Sequence, residues 1–378
     1  MHLDALDTPA LLVDRARLTR NIERMQATAD ANAVALRPHV KTHKCTDLAR
    51  RQQQAGAEGV TVATVAEAET FVAAGFDDVR IAYAVVGRSK YQRVQALRED
   101  ARVSFCVDTA AGVEAAAAFF AAHDPIDVLI EIDVGHGRCG VPWADAQAIV
   151  ALARHIERHE GVRLAGLLTH AGQAYAGRQD GESRAEALRR VSNQERDRML
   201  RVATHLLAAE DVRVSPDDLV ISIGSTPSMR YFENRHDGEV AITEIRPGNY
   251  VFYDAMQVAL GAATWEDCAL HVWSTVISTR PGASAGHRFY LDAGKKVMTT
   301  DTGAGTEGYG RVLDAPAGTV LHRLSEEHAW GQTPPAGSCA VGDRVRIVPN
   351  HACVTVATQS ALHVVEGEQV VDTWTVAA

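Results

Sequence analysis

Positive charge is scarce in this sequence. Its 38 lysines and arginines face 48 aspartates and glutamates, for a formal net charge of −10. A nucleic-acid-binding surface needs a basic face, so that class of partner is excluded. A small substrate is not excluded, because an acidic protein can still hold a cationic pocket. Long apolar runs are also missing. The longest, Ala115 to Ala122, is mostly alanine and falls far short of the roughly 20 residues that span a membrane. Residues Met1 to Asp7 are acidic and lack the basic start and apolar core of a signal peptide. The six cysteines (Cys45, Cys106, Cys139, Cys268, Cys339, Cys353) form no CxxC pair. Their scatter predicts reduced thiols in a cytoplasmic protein.

What is present is a rhythm. After an opening strand at Pro9–Asp14 and a helix from about Arg17 to Ala31, apolar strands recur. One ends at Lys41; the others are Val60–Ala63, Val79–Tyr83, Val103–Val107, Val128–Ile132, Leu164–Leu168, Leu219–Ile223 and Val240–Ile245. Helical patterns separate them, the longest running from about Ser183 to Leu207. Strands that are apolar on both faces and alternate with helices indicate parallel β with right-handed crossovers. Eight such units in roughly 245 residues predict a (β/α)8 TIM-type barrel, with a doubly wound open sheet as the competitor. The barrel is expected over residues 10–255. After Asp254 the rhythm stops. Short β patterns at His271–Ile277, Arg288–Leu291, Arg344–Ile347, Ala361–Val365 and Val370–Val376 predict a mostly-β domain over 256–378. Residues 1–9 are expected to pack with it.

The stretch Arg37-Pro38-His39-Val40-Lys41-Thr42-His43-Lys44 carries the first chemical signal. On an extended strand alternate residues share a face, so Arg37, His39 and Lys41 point one way. Such a run at the catalytic end of a barrel strand is costly to bury without a purpose. A lysine held near other cations has a lowered pKa and can serve as nucleophile or base. Lys44 is the rival, but it falls past the strand. A solvated basic turn is the plain alternative. Two Gly-bearing turns follow the last two barrel strands: Ser222-Ile223-Gly224-Ser225-Thr226-Pro227-Ser228 and Arg246-Pro247-Gly248-Asn249-Tyr250. Barrels build phosphate sites there, from backbone N–H groups with little steric cover. Near the C-terminus, Pro349-Asn350-His351-Ala352-Cys353 puts an imidazole and a thiol at i and i+2. On one strand face their Cα atoms lie about 6.6 Å apart. That pair suits Zn²⁺ and leaves positions open for water or substrate. A buried histidine beside an apolar cysteine is the alternative.

Further stretches extend the pattern along nearly the whole chain: Asp7-Thr8-Pro9, Asp133-Val134-Gly135 through Arg138-Cys139-Gly140, His170-Ala171-Gly172, Leu291-Asp292-Ala293-Gly294 and Ser325-Glu326-Glu327-His328. In this order the chain resembles the fold-type III pyridoxal phosphate (PLP) enzymes, and within them the D-serine dehydratase and D-threonine aldolase family. The resemblance implies an alanine racemase-like barrel plus a β domain. It implies that Lys41 carries PLP as a Schiff base and serves as general base. It implies PLP contacts from Tyr175, Thr226, Gly248 and Asn249, with Arg138, His170 and Gln173 beside them. It implies a divalent metal on His351 and Cys353, zinc foremost, with manganese or magnesium as alternatives. It also implies a head-to-tail homodimer in which one chain's β domain covers the other's barrel mouth.

His-x-Cys and His-Ala-Gly are similar to the dehydratase branch. That branch eliminates from a β-hydroxy D-amino acid, such as D-serine, D-threonine or 3-hydroxy-D-aspartate, to give a 2-oxo acid and ammonia. Retro-aldol cleavage to glycine and an aldehyde is the alternative on the same site. A non-catalytic PLP carrier is disfavoured by the extra β domain. Gln173-Ala174-Tyr175 departs from the His-Ser-Tyr expected of a D-serine dehydratase, which leaves the substrate open.

Overall fold

The computed structural model describes residues 1–281, 287–335 and 337–377. Strand β1 (Ala10–Asp14) ends on Asp14, whose carboxylate accepts the Arg17 N–H and caps α1 (Arg15–Ala31). Eight strands follow: β2 (Ala35–Leu36), β3 (Val60–Val62), β4 (Asp78–Ala84), β5 (Arg102–Val107), β6 (Ile126–Asp133), β7 (Val162–Thr169), β8 (Val220–Ile223) and β9 (Glu244–Ile245). They pair in parallel in the order β2-β9-β8-β7-β6-β5-β4-β3. The two ends of this sheet meet through a parallel bridge between His39 and Thr61, where the Thr61 N–H donates to the Pro38 carbonyl at 2.8 Å. The result is the expected barrel. Strand β6 is buried at every residue but Asp133, as a strand covered on both faces must be.

Two barrel strands are shorter than the sequence pattern suggests. The strand expected to end at Lys41 stops at Leu36; Lys41 sits instead on a one-turn 3-10 helix, Val40–Thr42. Pro38 has no N–H to donate, which interrupts the ladder there. Of the expected Val240–Ile245 strand, only Glu244–Ile245 joins the barrel. Val240–Ala241 pairs with His236–Asp237 in a hairpin.

Strand β1 lies outside the barrel, contrary to the expected 10–255 boundary. It runs antiparallel to β10 (Leu270–Pro281) and, on its other side, parallel to β16 (Ala361–Glu366). Its side chains explain this placement. Leu11 and Val13 face the main core, while Ala10 and Leu12 pack with Leu3, Leu6 and Trp273. A period of two with both faces buried requires a sheet interior. The second sheet is completed by β11 (His287–Leu291), β12 (Arg311–Val312), β13 (Val320–Leu324), β14 (Ala329–Gln332), β15 (Arg344–Val348) and β17 (Gln369–Thr375). Among the described residues, no helix is long and apolar enough to cross a membrane.

Candidate active site

The barrel interior is layered. In the lower layer the Glu244 carboxylate accepts from Arg37 Nε at 2.6 Å, and from the Arg80 guanidinium and the Ser222 hydroxyl. Arg37 also pairs with Asp78 at 2.8 Å. Arg246 is fully enclosed and donates to Ser222 Oγ and the Ile223 carbonyl, both at 3.1 Å, and to the Thr169 carbonyl at 2.6 Å. The expected inward trio therefore divides. Arg37 belongs to this ion-paired layer, whereas His39 and Lys41 line a cavity of about 770 Å³ with Arg246 at its floor.

The Lys41 ammonium has no hydrogen-bond or ion-pair partner among the described residues. Burial lowers its pKa; Cys353 and Glu67 raise it, while Arg138 and Arg246 lower it further. Lys44 is committed elsewhere, paired with Glu67 at 3.3 Å. Burial, reinforced by Lys41, also keeps two histidines of this cavity neutral: His39 falls well below the usual range and His170 to about 3.

The two Gly-bearing turns lie side by side, tied by the Tyr250 N–H donating to Thr226 Oγ1 at 3.1 Å. A Cβ on Gly248 would lie 2.7 Å from the His39 carbonyl oxygen. Gly224 has φ +128°, and a Cβ there would lie 2.8 Å from Arg246 N. Only glycine fits either place. The N–H of Gly224 donates to Glu195 Oε1 at 2.9 Å and that of Ser225 to Ser228 Oγ at 3.2 Å. Those of Thr226, Gly248 and Asn249 meet no protein acceptor among the described residues. These three suit an anionic phosphate.

His351-Ala352-Cys353 is not a strand. His351 is extended and precedes a five-residue helix, Ala352–Val356, which carries Cys353 in its first turn. The two side chains still face the same cavity and influence each other's charge. Against burial, which opposes both charges, contact with Cys353 raises the pKa of His351 and contact with His351 lowers that of Cys353. His351 Nδ1 is bonded to Asp301 Oδ2 at 2.7 Å, and Cys353 Sγ shares a hydrogen bond with Thr42 Oγ1 at 3.2 Å. Among the described residues, no cluster of three His, Cys, Asp or Glu is placed to hold a metal. Two soft-to-borderline donors remain, which fit an open site for a divalent ion. Both come from the same chain as Lys41, so this β domain lines its own barrel's mouth.

Lys41, Arg138, His170, Tyr175, Thr226, Gly248, Asn249, His351 and Cys353 all line the one cavity. Gln173 does not. Its amide donates to the Val134 carbonyl at 3.2 Å, because the 3-10 turn Gly172–Ala176 places Tyr175 at the cavity and turns Gln173 away. Arg138 is half-exposed at the mouth, 3.3 Å from Glu131. Tyr175 OH accepts from Gln257 Nε2 at 3.4 Å. Two acids went unnoticed in the sequence, Asp301 and Asp254. Neither stands in a pattern that distinguishes it from a loop acid or a helix cap. An unpaired, half-buried lysine, three free N–H groups beside two obligatory glycines, and buried unpartnered His39 Nδ1 and Asn249 Oδ1 together fit a phosphorylated aromatic aldehyde such as PLP.

Comparison with known proteins agrees with this geometry. Residues 13–255 match the family model "Alanine racemase, N-terminal domain", and residues 269–365 match "Putative serine dehydratase domain". The chain is 37% identical to D-threo-3-hydroxyaspartate dehydratase of a Delftia species, over 98% of this chain and 97% of the relative. It is 34% identical to D-threonine aldolase of an Arthrobacter species, over 100% and 93%. A solved structure of a cysteine-to-alanine variant of D-threo-3-hydroxyaspartate dehydratase, in its metal-free form, matches with a TM-score of 0.87 and 36% identity, covering 99% of this chain and 98% of that one. By fold, by domain pair and by end-to-end similarity, the chain belongs to the fold-type III PLP family that joins an alanine racemase-like barrel to a serine dehydratase domain.

Proposed function

We propose that this chain is a PLP- and divalent-metal-dependent lyase that converts a β-hydroxy D-amino acid to a 2-oxo acid and ammonia. The carrying observation is that an unpaired, half-buried Lys41 shares one cavity with the His351–Cys353 pair. When bound, PLP supplies an electron sink for the substrate Cα, and the metal supplies Lewis-acid polarisation of the β-hydroxyl. Lys41 Nζ anchors the cofactor and, once released, accepts the Cα proton; its lowered pKa favours the neutral amine this requires. Thr226, Gly248 and Asn249 offer N–H groups to the phosphate. His170 and Tyr175 wall the cofactor, and Arg138 offers its guanidinium to a carboxylate or to the cofactor's phenolate oxygen. His39 and His170 stay neutral and add no competing charge beside Lys41. His351 and Cys353 hold the metal, zinc being the ion that a thiolate and an imidazole suit. Gln173 sits behind the wall and supports it through Val134. The protein is taken to act in the cytoplasm as a homodimer, which sedimentation at micromolar concentration tests.

The first substrate to assay is D-threo-3-hydroxyaspartate, on the strength of the 37% identity to its dehydratase. D-serine and D-threonine follow. The 34% identity to D-threonine aldolase supports a second reading, retro-aldol cleavage. Product analysis separates the two: ammonia and a keto acid against glycine and an aldehyde. Cys353→Ala should retain the cofactor's absorbance near the visible edge and lose elimination. Elimination that survives both this substitution and a chelator would remove the metal from the scheme.

A further inference from the structure

One carboxylate ties the cofactor side of the cavity to the metal side. Asp254 is completely buried where the barrel gives way to the second sheet. Its Oδ2 accepts two hydrogen bonds. One comes from Asn249 Nδ2 at 2.6 Å, on the turn after β9. The other comes from the backbone N–H of Ala352 at 2.9 Å, the residue between His351 and Cys353. Its Oδ1 accepts the Gln257 N–H at 3.0 Å and caps the helix Ala255–Leu260. Because a carboxylate accepts and does not donate, it fixes the Asn249 amide with nitrogen toward Asp254. The Asn249 oxygen is then turned the other way, where it is buried and has no protein partner. Asn249 Nδ2 also lies 3.8 Å from Cys353 Sγ.

We infer that Asp254 is a positioning residue: through one oxygen it sets the His351–Cys353 pair in register with the Asn249 turn. The inference rests on the metal site of the proposed function. It follows from the economy of the contact. Cys353 sits on a helix of only five residues and His351 on the extended residue before it, a segment too short to hold its own orientation. The bond to Ala352 fixes the backbone between the two donors, and the bond to Asn249 refers that backbone to the barrel. Groups that orient metal ligands in this way typically change metal affinity by about 10–100-fold when removed. The fold has independent support at this joint. The Ala255 N–H donates to the Pro349 carbonyl at 3.0 Å and the Met256 N–H to the Asn350 carbonyl at 3.2 Å.

The test uses cobalt as the probe ion and reads the cobalt–thiolate absorbance of the PLP-loaded full chain. Asp254→Ser retains a good helix cap but is too short to bridge Asn249 and Ala352. It should fold, keep the cofactor absorbance, and bind cobalt about 10–100-fold more weakly than the wild type. A folded D254S protein that binds cobalt within twofold of wild type overturns the inference. Failure of D254S to fold overturns the inference too, since Asp254 would then be supporting the fold rather than the site. Asp254→Asn is the conservative control: its oxygen can still accept from Asn249 and Ala352, with its NH2 turned to the Gln257 side, so it should bind cobalt within about threefold of wild type. A folded D254N protein that loses more than about tenfold in cobalt affinity overturns the bridging role of the oxygen. A wild-type protein with no Cys353-dependent cobalt band overturns the metal reading and this inference together. A normal wild-type band that D254S retains overturns the inference alone.

Discussion

The lower and upper layers of the barrel interior use the same kinds of side chain to opposite ends. Below, Arg37 and Arg80 converge on Glu244, Asp78 takes the remaining arm of Arg37, and Arg246 is met by three oxygens. Burial pushes the Glu244 carboxyl up, but Arg80 and Arg37 outweigh it and hold the group at about 2. Above, Lys41 has no carboxylate partner, and His39 and His170 are neutral. Buried charges in close pairs keep a structure in place, and removing one partner leaves the other stranded. A half-buried amine left unpaired inside a cavity stabilises nothing, and its cost is a mark of chemistry. The contrast separates stability from activity by about one turn of chain.

Lys41→Ala strikes the upper layer alone and should have the largest effect. It removes the proposed cofactor anchor and base, so turnover should fall by about 10⁴-fold or more, with no drop in the melting temperature of the cofactor-free protein. A variant that still turns over would merge the two layers again. Glu244→Ala strikes the lower layer. It strands the buried Arg80 guanidinium, leaves Arg37 with Asp78 alone, and should cost about 3–5 kcal/mol in denaturant unfolding. A loss below about 1 kcal/mol would show that the lower layer is not holding the barrel.

Acid should act next. Burial holds His43 at about 4, His170 at about 3 and His271 at about 4. The unfolded chain takes up these protons near pH 6.5 while the folded chain refuses them. Stability of the cofactor-free protein therefore falls as pH drops through about 6.5, and this loss levels off only below the folded values. His43 shows why. Its Nδ1 accepts the Cys45 N–H at 3.1 Å and cannot do so once protonated. A melting temperature that is flat from pH 7 to pH 5 would contradict this. The smallest effect belongs to Gln173→Ala. With no side chain in the cavity, kcat/KM should stay within about threefold of wild type, under 1 kcal/mol. A larger loss would bring Gln173 back to the substrate.

The fold and most of the site were legible because their signals are contiguous. Lys41 stands in an eight-residue run, His351 and Cys353 in a five-residue run, and the glycines in two turns that follow barrel strands. Local geometry was less legible. The pattern around Lys41 reads as strand, and only the ladder, interrupted at Pro38, reveals a 3-10 turn. The partners of the motifs were invisible. Glu244 lies 207 residues from Arg37, and Asp301 lies 50 residues from His351. Closing the barrel and docking the second sheet bring these together, and no periodicity encodes them. Strand β1 is ambiguous in the sequence for a related reason: apolar on both faces, it fits the interior of either sheet.

That strand has a consequence for how the chain comes into being. Residues Ala10–Asp14 are synthesised well before both of their neighbours, Leu270–Pro281 and Ala361–Glu366. The barrel strands can find one another while translation continues, since domains fold as they leave the ribosome. An apolar segment with two open edges must meanwhile wait for some 350 residues, which makes it a natural target for a chaperone that binds extended hydrophobic chain.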